Sequence, residues 1–166
     1  MPKGLSQTGY ISKEELEKAP GIPSAERRKK GPVAVIECIQ DIPCNPCETS
    51  CPTGAITVGE DITNLPVLDE EKCVGCRSCV PICPGQAIFV VDESLDNGKA
   101  TVTVPYEFLP LPEKGQTVIA LDRSGKELGE AVVDSVRVSE KMDHTTLVTI
   151  LVPREWSMEA RGFRRK

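Results

Sequence analysis

Aromatic residues are scarce in this chain of 166 residues, which contains three Phe, two Tyr and one Trp. Aromatic side chains supply much of the volume of an ordinary core. The chain must therefore fill its core with Val, Ile and Leu, or be held together by cross-links or metal. It has eight Cys, more than its aromatic residues together. Eight cysteines in so short a chain indicate either a disulfide scaffold or metal sites.

Long apolar runs are also missing. No stretch approaches the roughly 18 apolar residues that a membrane-spanning helix requires. Residues 1–21 contain no hydrophobic segment of the kind found in signal peptides. We therefore expect a cytoplasmic protein without a membrane span. Because the cytoplasm keeps ordinary thiols reduced, this expectation favours metal sites over disulfides.

The net charge of −5 is unevenly distributed along the chain. All eight cysteines lie within residues 31–113, where 13 acidic residues accompany only 3 basic ones. This composition is poor for binding nucleic acid, and we expect no such partner. Basic runs at residues 27–30 and 161–166 are interpreted as solvated surface, as most runs of this kind are.

The usual signatures of catalysis are absent as well. The single histidine, His144, lies in a polar turn, where an exposed imidazole is commoner than a catalytic one. No glycine-rich dinucleotide fingerprint, P-loop or nucleophile elbow is present. We therefore expect no catalytic residue and no enzymatic activity from this chain alone.

Three segments can be distinguished by composition. Residues 1–32 form an N-terminal docking arm, which we expect to lie either on the body of the protein or on a partner. Ser12 and Glu15 in this arm have the spacing of a capping box and predict a short helix. Residues 33–104 contain all the cysteines. Residues 105–166 form a β-rich C-terminal module with a basic tail, and their short Val- and Thr-rich runs predict a small antiparallel β-barrel or sandwich. The expected fold class is α+β.

The cysteine-rich segment contains an internal repeat. CNPCETSCPTGAITV at 44–58 matches CRSCVPICPGQAIFV at 76–90 with an offset of 32 residues. Each copy ends in a short predicted strand, so the repeat indicates a module with pseudo-two-fold symmetry. The dipeptide Asn97-Gly98 predicts a hairpin turn that folds residues 100–104 back on residues 87–91.

The second copy has the pattern of a cluster-binding run, Cys73-x2-Cys76-x2-Cys79-x3-Cys83-Pro84. This is the bacterial [4Fe–4S] spacing. Three thiolates on one tight loop can bind three irons of a cube, whereas the fourth cysteine, one helical turn further on, faces away. Structural zinc sites usually pair two C-x2-C knuckles and do not need this run, so a zinc-binding module is a remote alternative.

The first copy is irregular, since its cysteines are Cys38, Cys44, Cys47 and Cys51. The repeat offset places Asp41, not a cysteine, opposite Cys73. Either Cys38 binds the remaining iron while residues 39–43 bulge outward, or Asp41 or water binds that iron, or the iron is missing. We favour Cys38, because a free thiol would otherwise lie beside a cluster.

Over residues 33–104 the pattern resembles the bacterial-type two-cluster 2[4Fe–4S] ferredoxin family. The resemblance implies a ferredoxin-like fold in which each cluster takes three ligands from one motif and the fourth from the other. It implies a first cluster bound by Cys38, Cys44, Cys47 and Cys83, and a second cluster bound by Cys73, Cys76, Cys79 and Cys51.

The stretch IECIQDIPCNPCETSCPTGAI at 36–56 also resembles the small iron–sulfur subunit of FAD-dependent dehydrogenases of the proline, hydroxyproline and opine type. This resemblance implies an electron-transfer subunit that carries electrons one at a time between a flavoprotein dehydrogenase and an acceptor through two [4Fe–4S] clusters. FAD- or FMN-containing subunits would be its partners in a hetero-oligomer. The alternative is a free diffusible ferredoxin.

Overall fold

The computed structural model describes residues 4–166. Its secondary structure consists of five single-turn α-helices, nine strands and two short 3-10 helices, Glu140–Met142 and Arg154–Trp156. The helices are α1 (Leu5–Thr8), α2 (Lys13–Leu16), α3 (Ala25–Arg28), α4 (Pro46–Thr49) and α5 (Cys79–Ile82). The strands are β1 (Val33–Ile36), β2 (Ile56–Thr57), β3 (Val67–Leu68), β4 (Ile88–Asp92), β5 (Lys99–Tyr106), β6 (Thr117–Leu121), β7 (Glu127–Arg137), β8 (Thr146–Pro153) and β9 (Gly162–Arg165).

Seven of the strands form one antiparallel sheet in the order β1-β4-β5-β8-β7-β6-β9. The hairpin predicted at residues 97–98 is present, with Val91 of β4 opposite Val102 of β5. The predicted α+β class and antiparallel strands are thus confirmed. None of the helices in residues 4–166 has the length and apolar character needed to cross a membrane.

The pseudo-two-fold repeat is visible in the way the short strands pair. One half of the repeat is β1, α4 and β2, and the other half is β3, α5 and β4. Strands pair across the halves, because β1 pairs with β4 and β3 pairs with β2. Each half therefore contributes a strand to the other, and the two cysteine loops are held between the paired strands.

The sheet continues through the boundary that we expected between residues 104 and 105. Strand β5 crosses this boundary and ends at Tyr106, and all eight of its residues pair with β8. The basic tail is not free surface either, since β9 pairs with β6 and Phe163 is buried. The solvated interpretation is wrong for Arg161, whose side chain is buried against Glu37, and it holds for the exposed Arg164 and Lys166. Phe163 stacks on Tyr106 at 4.8 Å between ring centroids.

Two apolar cores form on the two faces of the sheet, since side chains alternate between faces along each strand. Ile88 and Val90 of β4 join the core that contains the cysteine loops. Phe89 and Val91 of the same strand join a second core without cysteine, to which all seven strands of the sheet contribute. The sheet must therefore curl around the second core, with its end strands β1 and β9 facing the same interior.

A buried carboxylate joins the two ends of this curled sheet. Glu37, just after β1, accepts two hydrogen bonds from Arg123 (2.9 and 2.6 Å) and one from Arg161 (2.6 Å). Arg161 comes directly before β9, and its guanidinium lies over the Phe89 ring at 5.0 Å. Burial opposes ionisation of Glu37, but the two arginine charges outweigh it and lower the pKa of this carboxyl.

The N-terminal arm lies on the body of the protein. The predicted capping box is present at α2, where Ser12 and Glu15 exchange hydrogen bonds. Main-chain bonds then fasten the arm, since Ile36 N donates to Gly21 O at 2.9 Å and Leu68 N to Pro20 O at 3.1 Å. The sequence left open whether the arm docks on the body or on a partner, and in this structure it docks on the body.

Candidate iron–sulfur cluster sites

Two recesses between the cysteine loops and the sheet collect all eight thiols into two sets of four. One recess, of about 320 Å³ with its open mouth included, is lined by Cys51, Cys73, Cys76 and Cys79. The other, of about 380 Å³, is lined by Cys38, Cys44, Cys47 and Cys83. These are the two sets that the resemblance to two-cluster ferredoxins implied. Each set takes three cysteines from one motif and one from the other.

Short helices position the inward-facing thiols. Cys47 lies in α4 and Cys79 in α5, and both side chains are buried. Pro46 occupies the first turn of α4, where its fixed φ favours helical backbone and its missing N–H leaves no donor unpaired. Each helix ends within one turn. Cys51, just after α4, therefore lines the recess that contains Cys79, and Cys83, just after α5, lines the recess that contains Cys47.

Backbone N–H groups point at three of the sulfur atoms. Ala55 N donates to Cys51 Sγ at 3.2 Å, and Ala87 N donates to Cys83 Sγ at 3.4 Å. These two bonds are equivalent in the repeat, because each spans four residues. Ala34 N donates to Cys73 Sγ at 3.4 Å from the neighbouring strand β1. Such donors stabilise negative charge on sulfur, which suits cluster ligands.

The Cys73–Cys79 loop packs tightly against the start of β1 at Gly75. This glycine has φ of +63°, a conformation that side chains disfavour. A Cβ atom at this position would lie 2.5 Å from the carbonyl oxygen of Pro32 and 2.6 Å from its Cβ. Glycine is therefore required for the loop to approach the sheet this closely.

Arg27 of the N-terminal arm also supports this loop, although the sequence reasoning assigned it to solvated surface. Its guanidinium donates to the carbonyl oxygens of Cys73 at 2.5 Å, Pro32 at 3.2 Å and Glu70 at 2.9 Å. Arg28 pairs with the buried Glu93 at 2.7 Å. The solvated interpretation of the run at 27–30 is wrong for these two residues. No local signal separates them from the exposed Lys29 and Lys30.

Two of the thiols, Cys47 and Cys79, lie in surroundings that oppose a free thiolate. Burial raises the pKa of the Cys47 thiol to about 11 and that of Cys79 to about 12. A metal cation compensates this cost, since it binds the thiolate form directly. Cys51 differs from these two, because its partial burial is outweighed by hydrogen bonds from Thr53 and from Ala55 N, which lower its pKa.

The arrangement fits a four-iron cluster better than single metal ions. All eight cysteines are free of disulfides. Thiolates around one tetrahedral zinc ion would lie about 3.8 Å apart, given Zn–S bonds of about 2.3 Å. Within residues 4–166, however, no three His, Cys, Asp or Glu side chains converge on one ion position. Four thiols spread around each recess suit a larger inorganic core.

The structure also separates Cys38 from its rival, Asp41. Cys38 lines the second recess, and the neighbouring charges of Cys83 and Cys44 add to burial in raising the pKa of its thiol. Asp41 is exposed, and only Gln40 and Ile42 on either side of it reach the recess. His144 is exposed in a left-handed turn with φ of +68°.

Comparison with known proteins assigns a family to this region. Residues 37–87 match the 4Fe-4S dicluster domain. One component of the ion-translocating oxidoreductase complex of Methanosarcina acetivorans is 49% identical over 47 residues, which are 28% of this chain and 17% of that protein. The polyferredoxin-like subunit of the aliphatic sulfonate oxidoreductase of Pyrococcus furiosus is 47% identical over 49 residues, 30% of this chain and 27% of that protein.

One component of the tetrathionate reductase of Salmonella typhimurium is 39% identical over 59 residues, which are 36% of this chain and 23% of that protein. The chain thus matches less than a third of the length of each of these curated relatives. No solved structure matches the chain significantly. The residues matched by the family model include all eight cysteines, from Cys38 to Cys83. Residues 37–87 are therefore a 4Fe-4S dicluster domain, and two [4Fe–4S] clusters are its cofactors.

Proposed function

We propose that the chain is an electron-transfer iron–sulfur subunit, which carries electrons one at a time between a flavoprotein dehydrogenase and an acceptor. The observation that carries this proposal is the collection of all eight cysteines around two adjacent recesses of a dicluster domain. Each cluster, when bound, supplies a centre that takes up and releases one electron. The chain itself is then a conduit and not an enzyme.

The proposal includes the ligand sets. The first cluster is held by Cys38, Cys44, Cys47 and Cys83, and the second by Cys73, Cys76, Cys79 and Cys51. The lining of the two recesses supports these sets, and the exposure of Asp41 supports Cys38 as a ligand of the first cluster. Because each motif contributes to both sites, the two clusters lie close enough together for electrons to pass between them.

The residues of the chain hold the clusters and adjust their charge. A [4Fe–4S] core with four thiolates carries net negative charge, and the acidic residues of the segment 31–113 oppose further reduction. Hydrogen bonds from Ala34, Ala55 and Ala87 to sulfur favour the added electron. The apolar walls, such as Ile36, Ile56 and Ile88, exclude water from the recesses.

The partner in this proposal is a FAD- or FMN-containing dehydrogenase of the proline, hydroxyproline or opine type, in a cytoplasmic hetero-oligomer. The names of the relatives support a place in such a complex, since two of them are subunits of oxidoreductases and one is a subunit of a reductase. Cysteine-free parts of the chain, namely the arm and the curled sheet that we propose as a small barrel, add surface without redox chemistry. Such surface suits docking.

Anaerobic purification from the native source tests this proposal. We expect a yellow flavin-containing protein to co-purify with the chain, and its flavin, once reduced by substrate, to bleach the visible absorption of the clusters. The flavin-to-iron ratio and the identity of the bound proteins are measured together. A chain that purifies as an iron-containing monomer without flavoprotein would instead be a free diffusible ferredoxin. A colourless protein that contains zinc would contradict the assignment of iron–sulfur clusters.

A further inference from the structure

A basic groove lies beside the second cluster site, between the acidic segment 31–113 and the connection from β7 to β8. It has a volume of about 570 Å³ and lies between the cysteine loop and the end of the sheet at which β7 ends and β8 begins. Cys76, Arg77 and Ser78 form one wall, and residues from the end of β7 to the start of β8 form the other. Three of its residues are cationic, Arg77, Arg137 and Lys141, and none of its lining residues is acidic.

The groove meets the cluster site where a cysteine is most accessible. Cys76 is exposed, whereas the other seven cysteines are buried or half-buried. A cluster bound through Cys76 is therefore nearest to solvent at the mouth of this groove. Electron transfer between proteins requires close approach of the two redox centres, so the surface around Cys76 is the natural point of contact for the second cluster.

Two of the three cationic side chains of the groove are not neutralised by an acidic neighbour among the described residues. Arg137 and Lys141 are exposed, and within residues 4–166 neither side chain makes an ion pair or a hydrogen bond. Arg77 is held in place differently, because its Nε donates to Thr103 Oγ1 at 3.1 Å. Thr103 is fully buried and its Oγ1 lies 2.8 Å from Thr149 Oγ1, so this anchor is fixed by the sheet.

We propose that this groove docks a carboxylate-bearing segment of the redox partner that exchanges electrons with the second cluster. The charge complementarity is specific, since the rest of the dicluster segment is strongly acidic and would repel the same partner elsewhere. One electron passes per encounter, so the reduced cluster is oxidised as the partner centre is reduced. The inference rests on the proposed function, because it assigns a docking site to that electron transfer.

Two outer-sphere oxidants of opposite charge test the groove on the intact holoprotein. The reduced, desalted protein is mixed anaerobically with tris(oxalato)cobaltate(III) or hexaamminecobalt(III), each of which takes one electron and becomes Co(II). In R137E/K141E we expect the anionic oxidant to react about tenfold more slowly at 0.01 M salt, and the cationic oxidant to react faster. Both differences should vanish near 1 M salt, where charges are screened beyond about 3 Å.

A matched control has the same change in net charge at the opposite end of the strands. K99E/K126E alters two exposed lysines, one opposite Pro153 at the end of β8 and one just before the start of β7. We expect its rates with either oxidant to stay within about twofold of the wild type, because these lysines lie outside the groove. The neutral variant R137Q/K141Q should give an intermediate effect, which separates local charge from any general disturbance by the glutamates.

An octaglutamate peptide tests docking as such. It should slow oxidation of the wild type by the anionic complex and leave R137E/K141E unaffected, whereas octalysine should not compete. Equal inhibition of both proteins, or rates that do not depend on the groove charges, would overturn the inference. These outcomes are distinct from failure of the proposed function, in which the wild-type clusters would take no electrons from any reduced flavoprotein.

Discussion

Removal of the Glu37 carboxylate should weaken the whole fold, although this residue lies at one edge of the sheet. In E37Q, Arg161 would lose its paired carboxylate, and Arg123 would keep only the longer, partly exposed contact with Glu159 at 3.5 Å. The side chains of Arg123 and Arg161 are only 9% and 4% exposed, and that of Glu37 is 5% exposed, so water cannot replace the lost charge. Burial already lowers the pKa of Arg161 to about 10 despite the charge of Glu37.

The expected loss follows from this burial. Breaking a buried ion pair by removing one partner costs about 3–5 kcal/mol, because it leaves an uncompensated charge. Glu159 provides a matched control, since its carboxylate also lies near Arg123, at 3.5 Å, but its side chain is 35% exposed. In E159Q the loss should stay below about 1 kcal/mol, as is usual for exposed pairs.

Unfolding rates are the appropriate measurement, because loss of the clusters makes unfolding of the holoprotein irreversible. The variants are unfolded in urea without oxygen, and the decay of cluster absorbance and of far-UV circular dichroism is followed. If the contact is broken in the transition state, about 3–5 kcal/mol corresponds to an increase of about 10²- to 5 × 10³-fold in the unfolding rate of E37Q. For E159Q the increase should be less than about fivefold.

Equal unfolding rates for the two variants would refute this reasoning, provided that both contain the same iron per chain before unfolding. Such a result would mean that Glu37 does not join the ends of the sheet through a desolvated network. It would also mean that the second core is held by its apolar contacts alone.

Three further predictions concern the cluster sites. Cys79→Ser should lose the second cluster first, so that iron per chain falls by about half. The first cluster should keep its electron paramagnetic resonance signal. Loss of the first cluster's signal with retention of the second would contradict the ligand sets. Gly75→Ala should prevent assembly of the second cluster, because the added Cβ would overlap Pro32. Gly85→Ala is the control, since no atom lies within 4 Å of its added carbon. Iron analysis should show that this control retains both clusters. Anaerobic removal of iron should leave the circular dichroism of the sheet largely intact, because the second core contains no cysteine. Loss of this signal together with the iron would show that the clusters also stabilise the sheet.

Local patterns in the sequence were sufficient for the cluster motifs and for most of the strands. Cysteine spacing is a property of a single loop, so the run from Cys73 to Cys83 could be recognised without any knowledge of the fold. The hairpin of β4 and β5 was predicted, because the turn at Asn97-Gly98 and the apolar runs on either side of it are local signals. The capping box at Ser12 is local in the same sense.

The parts that were missed depend on residues far apart in the chain. Strand β9 was taken for a charged tail, because only its pairing with β6 and the stacking of Phe163 on Tyr106 make it a strand. Strand β3 has just two residues and exists because β2 lies beside it. Arg27 looked like one of four similar basic residues until the Cys73 carbonyl was placed next to it.

The sequence by itself determined that the cysteines belong to one pseudo-symmetric domain, since the repeat contains that information, whereas the division into two sets of four was implied only by the resemblance to two-cluster ferredoxins. Only the tertiary structure decided how the cysteine-free half attaches to this domain. It does so through one continuous sheet, and through Glu37, which meets Arg123 and Arg161 across separations of 86 and 124 residues. No periodicity or spacing encodes such contacts, because they depend on how the strands curl around a shared core.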